Sequence, residues 1–417
     1  MSSAVLNNTL IMNTVSSIYE SEESLDNRSL YEMVASKLGV SLSDFQAPVG
    51  KSKTVRNLMT RKIRWAQQTL KIKGLLEQKS RGVWELLKTN KKDEYLHATI
   101  DGKMIIALST DLGVSICADS RTVFASGVID EPIHLTLTSS PYPIQKARAY
   151  GGESDMNAWL DMMMKTLEPI VERLAKGGSI VINLSNDVFL KGLPARSLYL
   201  EYFTIACWEK LGLYLMERGV WNSNKYPSPT QWACVKRYHA KSSYEPVLWF
   251  CNDPLACPAD NRRILEEHTE SHRQFVENGG MKYEYQHGDG AYRKRIGEFS
   301  KLGSGRIPNN SFYIPNNCLS GREVNQYAKA LGLPVHSAKM PESLANRFVR
   351  HLTEEGQVVL DHYSGTGTTP EACELTGRRW FAIERVWEYV RQSFRRFDIH
   401  NIDYWVNPAF LAAQNEF

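Results

Sequence analysis

Two kinds of hydrophobic spacing divide this chain. Residues 1–20 are polar and read as loosely ordered, and helical spacing follows. Leu30, Met33, Val34 and Leu38 mark one helix, stopped by Gly39. Thr54 is placed to cap a longer helix with the apolar stripe Val55, Leu58, Met59, Ile63, Ala66 and Leu70, and with Arg61, Arg64, Gln68 and Lys71 opposite. Gly74 ends it, and 75–87 predicts a two-stranded hairpin with Lys79-Ser-Arg81-Gly82 at its tip. Helices followed by such a hairpin make a winged-helix plan over 1–95, with 88–95 as a charged linker. Beyond it, short apolar runs alternate with helical stretches. Strands are expected at 104–108, 115–118, 133–138, 179–184, 213–220, 357–361 and 379–384. Helices are expected from a Ser154 cap through Val171, ended by Gly177-Gly178, and at 198–211, 322–331 and 342–352, with another opening at Thr369-Pro370. This alternation predicts an α/β domain with a largely parallel sheet. Residues 222–325, rich in Pro, Asn, Gly, aromatics and basic residues, interrupt it and read as an irregular insert.

Composition narrows the class. At 417 residues the chain has room for two or three domains and a sizeable core. No apolar run approaches the 18 residues or so of a membrane span, and the first residues lack the basic start of a signal peptide. Seven cysteines without a Cys-x-x-Cys pair point to reduced thiols in a cytoplasm and to no structural metal. The net charge of +4 conceals an asymmetry: residues 51–92 hold 13 Lys and Arg against Glu77 and Glu85, and the remainder is net negative. A concentrated positive segment is the footprint of a polyanionic partner.

Two stretches carry chemistry. In Asp361-His-Tyr-Ser-Gly-Thr-Gly-Thr-Thr369, a strand runs into a loop whose Gly365 and Gly367 let backbone approach a ligand, and then into a helix. Glu384 ends the next strand 23 residues later, where a carboxylate suits ribose hydroxyls. Pro370 stands where a dinucleotide fingerprint needs a third Gly, and no Lys supplies a P-loop. A nucleoside-type ligand without a phosphate grip remains, and S-adenosylmethionine fits. The second stretch, Thr138-Ser-Ser-Pro-Tyr-Pro143, is expected at a strand's carboxyl end. There Ser139 and a nearby carbonyl can accept hydrogen bonds from an exocyclic amine while Tyr142 stacks on its base.

Together these stretches resemble the amino-methylating DNA methyltransferases, in the subgroup whose catalytic motif precedes the cofactor motif. Thr138-Ser-Ser-Pro-Tyr-Pro143 is similar to Thr-Ser-Pro-Pro-Tyr-Pro, and 361–369 to Asp-Pro-Phe-x-Gly-Ser-Gly-Thr-Thr. His336-Ser-Ala-Lys-Met-Pro-Glu-Ser-Leu344 is similar to His-Pro-Ala-x-Phe-Pro-x-x-Leu. Tyr244-Glu-Pro-Val-Leu-Trp-Phe250 looks like a further family stretch, and the resemblance covers roughly residues 100–400. Over about 65 residues, the run from Trp65 through Gly74-Leu-Leu-Glu77 to Trp84 resembles the amino-terminal domain of Mrr-type restriction endonucleases. The resemblance implies a Rossmann-like S-adenosylmethionine-dependent methyltransferase fold with a winged helix at 1–95, a catalytic half at 96–250, a target recognition region at 251–325 and a cofactor-binding half at 326–417. It implies Ser139, Ser140, Pro141 and Tyr142 as catalytic residues, and Asp361, Tyr363, Gly365, Gly367, Thr368, Glu384 and Pro341 around the cofactor. Arg61, Arg64, Lys79 and Arg81 would meet double-stranded DNA. Ser as the first motif residue goes with N4-cytosine members, and a companion restriction endonuclease is a common partner. Ser140 and His362 each replace a family Pro. An N6-adenine enzyme, a DNA-binding protein with an inactive domain and a small-molecule methyltransferase stay open as alternatives.

Overall fold

The computed structural model describes residues 8–22, 24–49, 54–72, 76–80, 82–86, 97–99, 102–143, 153–224, 229–286, 288, 290, 292–336 and 338–413. The chain forms two compact units, Met1–Tyr95 and Leu96–Phe417.

In the first unit the elements are α1 (Asn8–Ser21), β1 (Ser24–Asp26), α2 (Asn27–Lys37), β2 (Gln46–Val49), β3 (Thr54–Asn57), α3 (Leu58–Ile72), β4 (Leu76–Ser80) and β5 (Val83–Leu86). Strands β1, β5 and β4 form an antiparallel sheet. The stretch expected to be loose contains α1, whose Ile11, Val15 and Ile18 are fully buried against Leu30, Val34, Ile63 and Leu70. Burial of each such side chain contributes about 1.5–3 kcal/mol, which outweighs the polar look of the segment. Thr54 does not cap α3. It pairs with Val49 in a hairpin of β2 and β3, and Asn57 accepts from Thr60 N at 3.1 Å instead. Val55 accordingly stays exposed, and the buried stripe begins at Met59. Two β-branched residues, Thr54 and Val55, suit an extended pair better than a helix start.

The second unit is built on a ten-stranded sheet. Its elements run β6 (Met104–Ser109), β7 (Gly113–Ala118), α4 (Ser120–Ser126), β8 (Ile133–Ser139), α5 (Met156–Val171), β9 (Leu174–Asn183), α6 (Tyr199–Leu211), β10 (Tyr214–Asn222) and β11 (Tyr244–Cys251). Then come α7 (Glu270–Glu277), β12 (Tyr285–Gln286), β13 (Arg293–Lys294), β14 (Ser311–Tyr313), α8 (Leu319–Ala330), α9 (Glu342–Leu352), β15 (Val358–Asp361), α10 (Thr368–Glu374), β16 (Arg379–Glu384), α11 (Trp387–Ile399), β17 (Trp405–Val406) and α12 (Pro408–Ala412). The strand order is β14-β10-β11-β9-β8-β15-β16-β7-β6-β17.

The sheet is mixed. Its centre, β9-β8-β15-β16-β7, is parallel, while β11 and β6 pair antiparallel to the centre's two edges. The departure from a largely parallel sheet has a local cause: β6 turns directly into β7 through 110–112, too short for a crossover helix. Within the stretch expected to be irregular, β11 is a core strand with Val247 to Cys251 buried. Covered on both faces, it shows a continuous apolar run and no alternation. Asp155, rather than Ser154, caps α5, accepting from Asn157 N and Ala158 N at 2.9 and 3.0 Å. That helix ends at Val171, and Gly177-Gly178 lie inside β9. Gly177 has φ +78°, and a Cβ there would sit 2.2 Å from Ala256 O, so the glycine serves a close backbone crossing.

Successive residues of the parallel strands face opposite cores. Val359 and Ala382 pack with Leu344, Phe348 and Phe394, whereas Leu360 and Ile383 pack with Trp159, Met163 and Phe203. The helices on both faces leave the carboxyl edge of the central strands open. Among the described residues no helix is long and apolar enough to cross a membrane.

Candidate active site

Three strand ends meet at that edge. Strand β15 ends at Asp361, β16 at Glu384 and β8 at Ser139. After Asp361 the chain turns through Gly365 (φ +52°) and Gly367 (φ +76°) into α10. A Cβ on Gly367 would approach Ser393 Cβ to 2.9 Å, so a side chain would wedge α11 off the loop. From behind, Arg396 Nε donates to Thr366 O at 2.6 Å, while its guanidinium pairs with Glu371 and donates to Ser320 Oγ at 2.8 Å. Arg396 and Glu371 are both fully buried. Removing one partner of such a pair costs about 3–5 kcal/mol.

Asp361 ties the two chemical stretches together. Its Oδ1 accepts from Thr138 Oγ1 at 2.8 Å and Tyr363 N at 3.2 Å, and its Oδ2 accepts from Thr369 Oγ1 at 2.6 Å. Burial raises its pKa to about 6 against the pull of these donors. Glu384 accepts from Gly365 N and Val386 N, each at 2.9 Å, and burial raises it to about 7. A carboxyl raised from 4.5 stabilises the fold fully below that value, and the contribution is lost as pH rises through about 7. The ligand-free protein should therefore lose stability, on the order of a few kcal/mol, relative to Glu384→Gln as pH rises from about 5 to about 8. Chemical denaturation of both proteins at each pH checks this; parallel curves would contradict it.

Asp361, Glu384, Tyr363, Gly365 and Thr368 line one cavity together with Asp119 and Arg121. A second cavity adjoins it, with Ser139, Tyr142, His336 and Lys339 lining both. The walls belonging only to the second carry Asn183, Glu245, Asn317, Arg322 and Asn325 beside the apolar Trp221 and Val335. Ser139 is exposed there, and its Oγ donates to Asn183 Oδ1 at 3.1 Å. The following loop is anchored by Trp159 Nε1, which donates to Pro141 O at 2.7 Å. A cradle closed to side chains by Gly367, with buried acids at two strand ends, fits a nucleoside-type ligand that has no phosphate.

The model of a family described as DNA methylase, with N6 and N4 members, matches residues 133–395. The chain belongs to the N6/N4 DNA methylase family. This is a family of S-adenosylmethionine-dependent methyltransferases. The chain is 29% identical over 298 residues to the type II methyltransferase M.PvuII of Proteus hauseri, covering 71% of this chain and 87% of the relative. The solved structure of PvuII DNA methyltransferase (cytosine-N4-specific) superimposes with a TM-score of 0.54 at 25% identity, over 74% of this chain and 93% of that one. The DNA adenine methyltransferase YhdJ of Escherichia coli K12 is 25% identical over 280 residues, covering 64% of this chain and 77% of the relative.

Within this methylase the residues singled out from sequence fall into three groups. Ser139, Ser140, Pro141, Tyr142, Asp361, Tyr363, Gly365, Thr368 and Glu384 all line the first cavity. Gly367 and Pro341 are not among its lining residues and are the residues that precede α10 and α9. His362 is buried with neither ring nitrogen hydrogen-bonded among the described residues, and burial pushes it down to about 3, so it stays neutral. In the first unit, Arg61 and Arg64 are exposed on α3, with Arg64 also 6.0 Å from the Tyr31 ring centre. Lys79 is engaged by Glu85 at 3.0 Å and Glu77 at 3.4 Å, and Arg81 lies outside the described residues. Sequence reasoning passed over Asp119, Asn183, Lys339 and the Arg396–Glu371 pair. Asp119 had a usable signal, an acid just past the end of a short apolar strand. Among the described residues no cluster of potential ligands could hold a metal.

Proposed function

We propose that this methyltransferase transfers a methyl group to the exocyclic N4 of cytosine in double-stranded DNA, with S-adenosylmethionine in the first cavity and the flipped base in the second. The observation that carries this reading is the position of Ser139 on the wall shared by the two cavities. When bound, S-adenosylmethionine supplies an electrophilic methyl group. Asp361 and Glu384 would hold it from the two strand ends. Ser139 Oγ directs its own proton to Asn183, which leaves its lone pairs to accept from the target amine. With the Ser140 carbonyl as a second acceptor, that contact draws the ring-delocalised lone pair back onto nitrogen. Tyr142 offers its ring to the base, a stacking worth about 1–3 kcal/mol. The work of these residues is positioning and preorganised polarity. Extrusion of the base from the duplex costs about a few kcal/mol, offset by pocket contacts. No Pro-Cys nucleophile occurs in the chain, and attack by the amine itself requires none.

The relative described as cytosine-N4-specific supports the base, as does a serine at the head of the motif. The likeness to an adenine enzyme favours N6-adenine as the second reading. Identification of methylated nucleosides in the product DNA decides between them.

We read residues 1–95 as a winged helix gripping phosphates through α3, where Arg61 and Arg64 are exposed, and 251–325 as the target recognition region. Lys79, already paired twice, contributes less than those arginines. A cytoplasmic enzyme with a companion restriction endonuclease completes this picture. Deleting 1–95 should weaken DNA binding and lower the slope of log affinity against log salt by about 0.9 for each phosphate no longer neutralised. Cofactor affinity should be retained. An unchanged slope would contradict the phosphate grip.

A further inference from the structure

We infer that Lys339 takes up the proton that the target amine sheds on methylation. The inference rests on the proposed amine methylation. In that reaction a bond forms between the amine nitrogen and the methyl carbon, and the carbon–sulfur bond breaks with its electron pair left on sulfur. As that bond forms, positive charge builds on the nitrogen, and one of its protons leaves to Lys339 in the same step. The groups already placed around the amine are poor acceptors. Ser139 is hydrogen-bonded to Asn183, a neutral amide whose Nδ2 donates to Pro246 O at 3.3 Å. Asp361 holds three donors and Glu384 two.

Lys339 stands with Ser139 and Tyr142 on the wall common to both cavities. Its Nζ lies 2.5 Å from Asn325 Oδ1 and 2.6 Å from His336 O. These two acceptors hold two of the Nζ hydrogens in either protonation state, and in the neutral amine the lone pair takes the remaining tetrahedral position. Burial lowers its pKa to about 8, with Arg396 of α11 pushing the same way and Cys318 beside α8 opposing. Tyr142, Glu245 of β11, Arg322 of α8 and His336 of its own loop are the other titratable or charged groups around that second cavity. Those lining only the first are Asp119, Arg121, Asp361, Tyr363, Glu384, Arg385 and Tyr389. A base poised near the working pH is what proton removal needs. Once protonated, Lys339 can pass the proton to water through the open side of the cavity.

The test is single-turnover methyl transfer by the full-length protein with saturating cofactor and DNA, from about pH 6 to about pH 10. The wild-type rate should climb about tenfold per pH unit below about 8 and level above it. Lys339→Met should lose about 100-fold and flatten the profile, in keeping with the usual contribution of a general base. Lys339→Arg should be equally impaired, because arginine keeps its proton. Cofactor affinity, by calorimetry, should be unchanged in Lys339→Met. In the ligand-free wild type, acetic anhydride labelling read by mass spectrometry should give Lys339 a midpoint near 8. A midpoint near 10, full activity in Lys339→Arg, or a wild-type profile in Lys339→Met would overturn the inference. Loss of cofactor affinity in Lys339→Met would also overturn it, reassigning the lysine to the cofactor. Product analysis separates the two readings. N6-methyladenine made with a Lys339-dependent profile would overturn the cytosine assignment and leave the proton acceptor standing. N4-methylcytosine made by Lys339→Met at the wild-type rate would do the reverse.

Discussion

Asp361→Ala should abolish S-adenosylmethionine binding in a protein that still folds. The carboxylate accepts from Thr138, Thr369 and Tyr363, so it fixes the glycine loop proposed to hold the cofactor and the residue that leads into Ser139 at once. Two hydrogen bonds from the cofactor to this charged group, at about 1.5–3 kcal/mol each, would on their loss lower affinity by over about a hundredfold. The fold survives because burial disfavours this carboxylate's charge, as its raised pKa reports. Removing it therefore relieves a cost while leaving two threonine hydroxyls to be satisfied. Calorimetric titration of cofactor is the check. Unchanged affinity would detach this loop from the cofactor.

Ser139→Ala should remove methyl transfer, by about 100-fold or more, while cofactor and DNA affinity stay within about threefold of wild type. Loss of one preorganised hydrogen-bond partner at a reacting centre typically costs about 2.7–4 kcal/mol in the transition state. Ser139 is exposed and the loop beyond it is held by Trp159, so truncation leaves the backbone in place. Single-turnover rates with separately measured affinities check the split. A variant that transfers at the wild-type rate would move the amine contact elsewhere.

The strand ends and glycine loop of the candidate site were legible because their signals are local. A short apolar run ending in an acid, two close glycines and a second such run were enough to place Asp361 and Glu384 at neighbouring strand ends. Both lie there, and the helix at 342–352 and strand at 379–384 have the expected bounds. What escaped depends on contacts distant in sequence. Arg396 and Glu371 sit on helices where charged residues ordinarily mark a solvated face, and only the meeting of α10 with α11 explains their burial. Asn183 is a polar residue inside the apolar strand expected at 179–184, and only the pairing of β8 with β9 sets it opposite Ser139. Strand β11 escaped because the proline- and polar-rich loops around it dominate the local composition, although its five buried residues run consecutively. Thr54 and Ser154 failed as caps for a simpler reason. Each competes with another suitable residue within three positions, and hairpin pairing or a better-placed carboxylate decides.

The most direct measurement is nucleoside mass spectrometry of unmethylated duplex DNA after incubation with the protein and methyl-labelled S-adenosylmethionine. Label is expected in N4-methylcytosine and is expected to be absent from a parallel reaction with Ser139→Ala. Label found only in N6-methyladenine would contradict it.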